Sequence, residues 1–475
     1  MRNVEWMHVV VDFTLDVSEW AEQNFGACEL GDRRRTKRAV LVARQMAEHP
    51  DGSTPDQIEK WSDLKAAYNL FAEEDVTFTA LVEPHWQATR KQAQGRVLLI
   101  GDTMETDFGI HRQTMGLGPT GDGDGRGFFL HSSVMVDSGT QEILGLAGQE
   151  IFYRQPAPRK ENSYKALQRK RESEIWGRVI DLVGPSAPGV QYVHVFDRGA
   201  DNLDVFCHLV QQRGDWVIRA AQLHRNVLDV SEGHERLDVE QVQSLREVLK
   251  SRPLLGIYKL QVRCTKKQSA RWASLEVRLA RVQIRQGKRR TRFQKQIDFQ
   301  CLTQWVIEAR EVDAPEGVKP LHWVLWTSLP VAGFDDAWQI ITYYEWRWLI
   351  EEFHKAIKTG CQLESRQYAT AESLEALMGI TSVLAIRLVQ LKTLARAQPD
   401  AKADQVVPLV WLKVLKALRK KPIVTIRDFF RHLAGLGGFL MRKSDADPGW
   451  ITIWKGTDKL LLAIRGYLAT QSNCG

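Results

Sequence analysis

Two apolar runs that each reach an aspartate constrain this chain more than any other feature. "RVLLIGDT" (residues 96–103) arrives at Asp102, and "VQYVHVFDRGAD" (residues 190–201) arrives at Asp197. Short apolar runs bounded by turn and charged residues read as buried strands. Between them lie two further strands, "FFLHSSVMVD" and "QEILGLAGQEIFYR", and a charged amphipathic helix in "SYKALQRKRESEIWGRVIDLV". Helical "NLDVFCHLVQQRG" and the strand "DWVIRAA" follow. Three strands, helix, strand, helix, strand is the order of an α/β sheet opening with a meander, rather than of regular βαβ alternation. An aspartate ending such a strand sits at the edge of the sheet.

The flanks have a different period. Residues 13–95 are helical in pattern, and so is the chain after residue 367, in "ESLEALMGITSVLAIRLVQLKTLAR", "VPLVWLKVLKALRKK", "IRDFFRHLAGLGGFL" and "TDKLLLAIRGYLAT". The expected organisation is a helical domain over residues 1–90, a central α/β domain over 91–367 and a helical domain over 368–475. No run approaches the length of a membrane span, and Asp12 breaks the brief apolar opening, so a cytoplasmic protein without a membrane partner is expected. The six cysteines form no C-x-x-C pair, which argues against a disulfide framework or a zinc site. "MGLGPTGDGDGRG" imitates both a dinucleotide fingerprint and a calcium loop. It lacks the strand and helix of the first and the closing ligand of the second, and reads as a flexible glycine loop.

Charge is concentrated. Residues 251–300 hold 14 Lys and Arg against 2 acids, whereas the rest of the chain has 51 basic and 56 acidic residues. Within this window "IYKLQVRC" alternates apolar and polar residues. "SLEVRLARVQIR" changes phase near Ala280, as a bulge would, and leaves Arg281 and Arg285 on one face. These are strands with a cationic side, and the loop "QGKRRTRFQK" adds Lys288, Arg289, Arg290 and Arg292. A nucleic acid is the expected partner, a solvated basic face the alternative. A second cluster, with Arg33 and Arg34 foremost, crowds a helix entrance in "LGDRRRTKR" and allows the same two readings.

In "YYEWRWLIEEFHKAIKTG" (residues 343–360) a helical wheel gathers Trp346, Leu349, Ile350, Phe353, Ala356 and Ile357 on one face and Tyr344, Arg347, Glu351 and Lys358 on the other. By itself this is an amphipathic helix with an i,i+4 ion pair. Beside Asp102 and Asp197, Glu351 completes a set of three carboxylates. Their mutual repulsion is relieved by hard divalent cations, and phosphodiester chemistry is the natural substrate class.

The Tyr344, Arg347, Glu351, Lys358 spacing, with two aspartates in order before it, resembles the Y-R-E-K signature of bacterial insertion-sequence transposases of the IS-four family, DDE enzymes with an RNase H-like core. The likeness runs over most of the chain, from "WAEQNFGACELGDRRRTKR" to "LGGF" and the terminal helices. The resemblance implies an RNase H-like catalytic core with a β-rich insertion at about 220–330, flanked by helical N- and C-terminal domains. It implies a cut-and-paste DNA transposase that uses Mg2+, with Mn2+ as substitute, and works as a homodimer on double-stranded transposon ends and target DNA. Asp102, Asp197 and Glu351 match the metal-binding triad. Tyr344, Arg347 and Lys358 match residues that grip end DNA, and Trp323 in "LHWVLWTS" a tryptophan that stacks on a flipped base. Lys355 and Arg219 are further DNA-contact candidates. One departure is Gly199 in "FDRGAD", where the family pattern has glutamate. Two rivals are a nuclease without strand transfer and a DNA-binding transposition inhibitor that has lost catalysis. The intact carboxylates argue against the inhibitor.

Overall fold

Apolar positions recurring every three or four residues wind the first part of the chain into α1 (Val17–Phe25), α2 (Arg33–Glu48), α3 (Thr54–Gln57), α4 (Trp61–Phe71) and α5 (Phe78–Lys91). Then the period shortens to two, giving β1 (Gly95–Asp107), β2 (Gly118–Thr120), β3 (Gly125–Asp137) and β4 (Ile143–Phe152). Helix α6 (Ile175–Val183), β5 (Val190–Phe196), α7 (Leu203–Gln211) and β6 (Asp215–Arg219) follow in the expected order. Next come β7 (Asn226–Asp229), β8 (Val242–Ser244), α8 (Leu245–Ser251), β9 (Leu254–Val262), β10 (Arg271–Arg285), β11 (Cys301–Val312) and β12 (His322–Thr327), of which β9 and β10 lie in the basic window. Helices α9 (Phe334–Glu345), α10 (Trp348–Lys355), α11 (Ala371–Ala397), α12 (Leu409–Arg419), α13 (Ile426–Leu436) and α14 (Trp450–Ser472) complete the chain.

This computed structural model describes residues 17–472 except 111, 155–170, 231–241, 263–269, 286, 288, 289, 292, 296, 298–300, 398, 406, 443, 444, 446 and 447. It divides into two units: Met1–Ala93 with Thr103–Arg154 and Ile350–Gly475, and Gln94–Asp102 with Gln155–Leu349.

In the first unit β3 lies between β1 and β4, the expected meander, with β2 added on β3. Part of the expected glycine loop is therefore strand. Gly127 permits it, because a Cβ there would stand 1.8 Å from the Thr106 carbonyl oxygen. The expectation that β1 stops at Asp102 is corrected. Alternation continues through buried Met104 and Thr106, and the Thr106 hydroxyl donates to the Phe128 carbonyl (2.6 Å), so β1 runs on to Asp107. Helix α11 contains Ala371–Thr393, a stretch long and apolar enough to cross a membrane, which the sequence reading passed over. Most of that stretch is buried inside the protein, as in a core helix. A separate apolar core joins Leu412 and Leu415 of α12, Phe429 and Leu433 of α13, and Leu460 and Ile464 of α14.

The second unit is built on a mixed sheet of order β1-β5-β6-β12-β11-β10-β7-β8, with β9 also on β10. Strands β1, β5 and β6 are parallel, and β12, β11 and β10 continue antiparallel. Helix α9 packs on one face, setting Trp338 against Tyr258 and Phe334 close over Gly256. On the other face Trp176 of α6 meets Phe196, and Phe206 of α7 meets Trp216 and Trp326. The phase change near Ala280 is present, with Ala273, Leu275 and Val277 buried and then Ala280, Val282 and Ile284. It is not a bulge between β10 and β11, whose register is continuous from Ser274↔Val312 to Arg285↔Cys301. The covered face of the ribbon changes along its length. The register shift that does occur is against β9, between Val277 and Arg278.

Candidate active site and nucleic-acid interface

Strand register places the aspartates. Strands β1 and β5 pair without a break from Gly95↔Val190 to Ile100↔Val195, so Asp102 and Asp197, each two residues further on, stand at the same level. Residues at one level of neighbouring strands share a face. Strand β6 extends the row, since Phe196 pairs with Ile218 and the next residues are Asp197 and Arg219. One carboxylate, a second carboxylate and a guanidinium thus line up at the carboxyl ends of the parallel pairing. Asp197 is fixed by the N–H of Gly199, which donates to its carboxylate (2.8 Å). Asp102 is held by Arg347, whose guanidinium donates to it at 3.2 Å. Arg219 donates to the His322 carbonyl (3.1 Å), while its buried Nε has no hydrogen-bond partner.

Sequence reasoning missed Asp201, the second acid of "FDRGAD". It is buried, paired with Arg225 at 2.7 Å, and accepts the N–H groups of Ala221 and Gln222, which ties the loop after β5 to the end of β6. Its signal was its place in the same motif as Asp197. Glu345 was also missed. It lies at the end of α9 with one carboxylate oxygen buried and unpartnered, and burial pushes its carboxyl up to about 7.

The expected single helix over residues 343–360 is corrected. It is α9, then a turn at Trp346–Arg347, then α10, then a π-helical turn over Ala356–Gly360. Hydrogen bonds of i→i+3 type from Arg347 to Tyr344 and from Leu349 to Trp346 tighten the junction. The apolar face survives, with Leu349, Ile350, Phe353, Ala356 and Ile357 buried. The polar row does not stay one row. Tyr344 turns inward and is buried edge-on to half-buried Trp323, ring centroids 6.1 Å apart. Arg347 goes to Asp102. In the other unit Glu351 and Lys355 are exposed and Lys358 pairs with Glu364 at 3.0 Å.

Among the described residues no group of three or more His, Cys, Asp or Glu side chains forms a metal cluster. The donor set nevertheless fits a hard cation. Asp102 and Asp197 offer only carboxylate oxygens, aligned on one face, and a cationic side chain already occupies Asp102.

The N-terminal cations divide by partner. Arg35 pairs with Glu73 and Asp75, and Arg38 with Asp63, which fixes α2 in its unit. Arg33, Arg34 and Lys37 remain exposed at the start of α2, where the helix N-terminus adds positive potential, and Asp32 both caps the helix and pairs with Arg34 at 2.8 Å. In the basic loop Lys288, Arg289 and Arg292 lie outside the described residues. Arg290 is partly buried, and the loop is anchored by Thr291, which donates to Asp204 (2.7 Å), and by Phe293 stacked on His208.

Residues 17–76 match the transposase DNA-binding family model, and residues 169–388 match the transposase DDE domain model. The two matches support a DDE transposase. The DNA-binding match takes in Arg33 and Arg34. The DDE match takes in Asp197, Arg219, Trp323, Tyr344, Arg347, Glu351, Lys355 and Lys358, and begins after Asp102. A DDE transposase core is a mixed α/β structure with a large sheet, as in the second unit. Its chemistry depends on divalent metal ions, in keeping with the paired carboxylates.

Proposed function

We propose that the chain is a cut-and-paste DNA transposase of the IS-four type with an RNase H-like core, acting as a homodimer in the bacterial cytoplasm on transposon ends and target DNA. The observation that carries this reading is the in-register pair Asp102 and Asp197, neutralised at Asp102 by Arg347. Asp102, Asp197 and Glu351 would hold divalent ions, Mg2+ with Mn2+ as substitute. When bound, such ions activate water and stabilise a leaving 3′ oxygen. Arg347 and Lys358, now paired with acids of this chain, would exchange those acids for flanking phosphates, with Lys355, Arg219, Arg33, Arg34 and the cations of residues 288–292 extending the grip. Trp323, held edge-on by buried Tyr344, would take an expelled base, offsetting the unstacking that hairpin formation requires. The freed 3′ hydroxyl then attacks the opposite strand and, after hairpin opening, the target.

Asp102→Asn, Asp197→Asn and Glu351→Gln should each abolish Mg2+-dependent cleavage of end DNA while leaving end binding within about twofold, since phosphate grip comes from cations. Cleavage surviving in any one variant removes that residue from the site. Joining of the cleaved 3′ end to a second duplex separates a transposase from a nuclease.

A further inference from the structure

Asp197 stands past the last rung of the sheet on both sides. Strand β5 pairs with β1 as far as Ile100↔Val195 and with β6 as far as Phe196↔Ile218, so the ladder stops short of the residue that follows. A tight turn holds it instead. The Ala200 N–H donates to the Asp197 carbonyl (3.3 Å), the Asp201 N–H to the Arg198 carbonyl (3.2 Å), and the Gly199 N–H to the Asp197 carboxylate. At the far end of this turn the Asp201 side chain is fully buried, and both of its oxygens go to a second turn. One accepts the N–H groups of Ala221 (2.7 Å) and Gln222 (3.1 Å). The other accepts the Arg225 guanidinium (2.7 Å), which also donates to the Asp201 carbonyl (3.1 Å). Ala221 lies two residues past Arg219, and the Ala220 N–H between them donates to the Val324 carbonyl of β12 (2.7 Å).

For stability alone a buried ion pair is a poor choice, since apolar side chains of similar volume often serve as well or better. What apolar side chains cannot do is hold two backbone N–H groups and a guanidinium at hydrogen-bond distance from one carboxylate. We propose that Asp201, clamped by Arg225, is a positioning residue that sets the spacing of Asp197 from Arg219 at the carboxyl ends of β5 and β6. Arg225 is backed in turn by the Trp326 ring, with the guanidinium carbon 5.8 Å from its centroid. The role rests on the transposase reading, in which Asp197 holds a divalent ion and Arg219 a phosphate. Mg2+ demands near-ideal octahedral geometry, so a displaced carboxylate would hold it less well.

The experiment takes the full chain through end-DNA binding in EDTA, single-turnover cleavage against Mg2+ concentration, and Mn2+ uptake by the protein–DNA complex, read as loss of the free-ion signal in electron paramagnetic resonance. Asp201→Ala should bind end DNA within about twofold of wild type, because phosphate grip comes from cations. It should cleave roughly ten- to hundred-fold more slowly, need several-fold more Mg2+ and take up Mn2+ more weakly. Asp201→Asn with Arg225→Gln, a neutral pair whose Asn oxygen still accepts both N–H groups, should recover most of each. Arg225→Met leaves the Asp201 bonds to Ala221 and Gln222 in place and carries the test if Asp201→Ala does not fold; it should shift both metal readouts in the same direction. Wild-type Mg2+ dependence and Mn2+ uptake in a folded Asp201→Ala or Arg225→Met protein overturn the positioning role, as does a loss of DNA binding equal to the loss of cleavage. Cleavage surviving in Asp197→Asn counts against the transposase reading itself, whereas its loss there beside wild-type behaviour in Asp201→Ala counts against the positioning role alone.

Discussion

His85 shows how a side chain's surroundings set its charge. Its Nε2 accepts the Leu146 N–H (3.1 Å), which leaves Nδ1 to donate to the Asn24 amide oxygen (2.7 Å). A second proton would point at an N–H, and burial lowers the ring to about 4; burial lowers His194 to about 3. In the unfolded chain both imidazoles protonate near pH 6.5. Between about pH 6.5 and 4 the unfolded state therefore binds more protons, and stability falls as pH falls, by up to ~1.4 kcal/mol per pH unit for each histidine. Glu345 runs the other way, because its folded value lies above its unfolded one, so its contribution is present at low pH and lost as pH rises through about 7. Urea unfolding at pH 7 and pH 5 should show a net loss on acidification. His85→Gln should be less stable at pH 7 by about 1–3 kcal/mol yet flatter with pH. An undiminished slope in that variant would assign the effect to other groups. At Gly199 a side chain would meet both the Asp197 carboxylate and the Trp176 ring at 3.1 Å, so the glutamate of the pattern this segment resembles would need one of them to shift.

Among the elements, the junction of α9 and α10 matters most. A continuous helix would have kept Tyr344 and Arg347 on an exposed stripe. The tightened turn at Trp346–Arg347 lets Tyr344 bury against Trp323 and sends Arg347 to Asp102. Arg347→Ala should reduce cleavage about tenfold or more, the loss of one hydrogen bond between charged groups being worth about 1.5–3 kcal/mol. Arg347→Lys should recover only part of it, since an ammonium lacks the planar fork. Trp323→Ala should permit the first nick but depress hairpin yield in a single-turnover gel assay. Unchanged hairpin yield would make Trp323 a packing residue only.

For the whole molecule, the helices after α11 share a core, so they stand or fall together. A cut within α13 would remove Phe430 and Leu433 from the core and strand Leu412 and Leu415. Removal from residue 399 takes the three helices away as a set. Leu409, Leu418, Val424, Leu440 and Leu462 in this region are exposed, and the proposed homodimer would cover some of them. The truncated chain should bind one DNA end normally and fail to form paired-end complexes on a native gel. Paired complexes at wild-type yield would place dimerisation elsewhere.

Much was legible in the sequence because it is written in local terms. Apolar period alone marked the helical flanks, the strands leading to Asp102 and Asp197, the cationic strands and the parity switch at Ala280. Tertiary structure decided what depends on partners distant in sequence. Strand pairing, not residue spacing, set Asp102, Asp197 and Arg219 at one level, because register is chosen by which faces are buried. Neighbouring strands carried β1 past its aspartate. Trp323, Asp102 and the sheet face under α9 broke a helix that contains no proline or glycine at the break. Of the cations at the start of α2, Arg35 and Arg38 were neutralised by the distant acids Glu73, Asp75 and Asp63, and Arg34 by its neighbour Asp32. A wheel places side chains around one axis; which of them meet an acid, a ring or solvent is set by the surface the helix packs on.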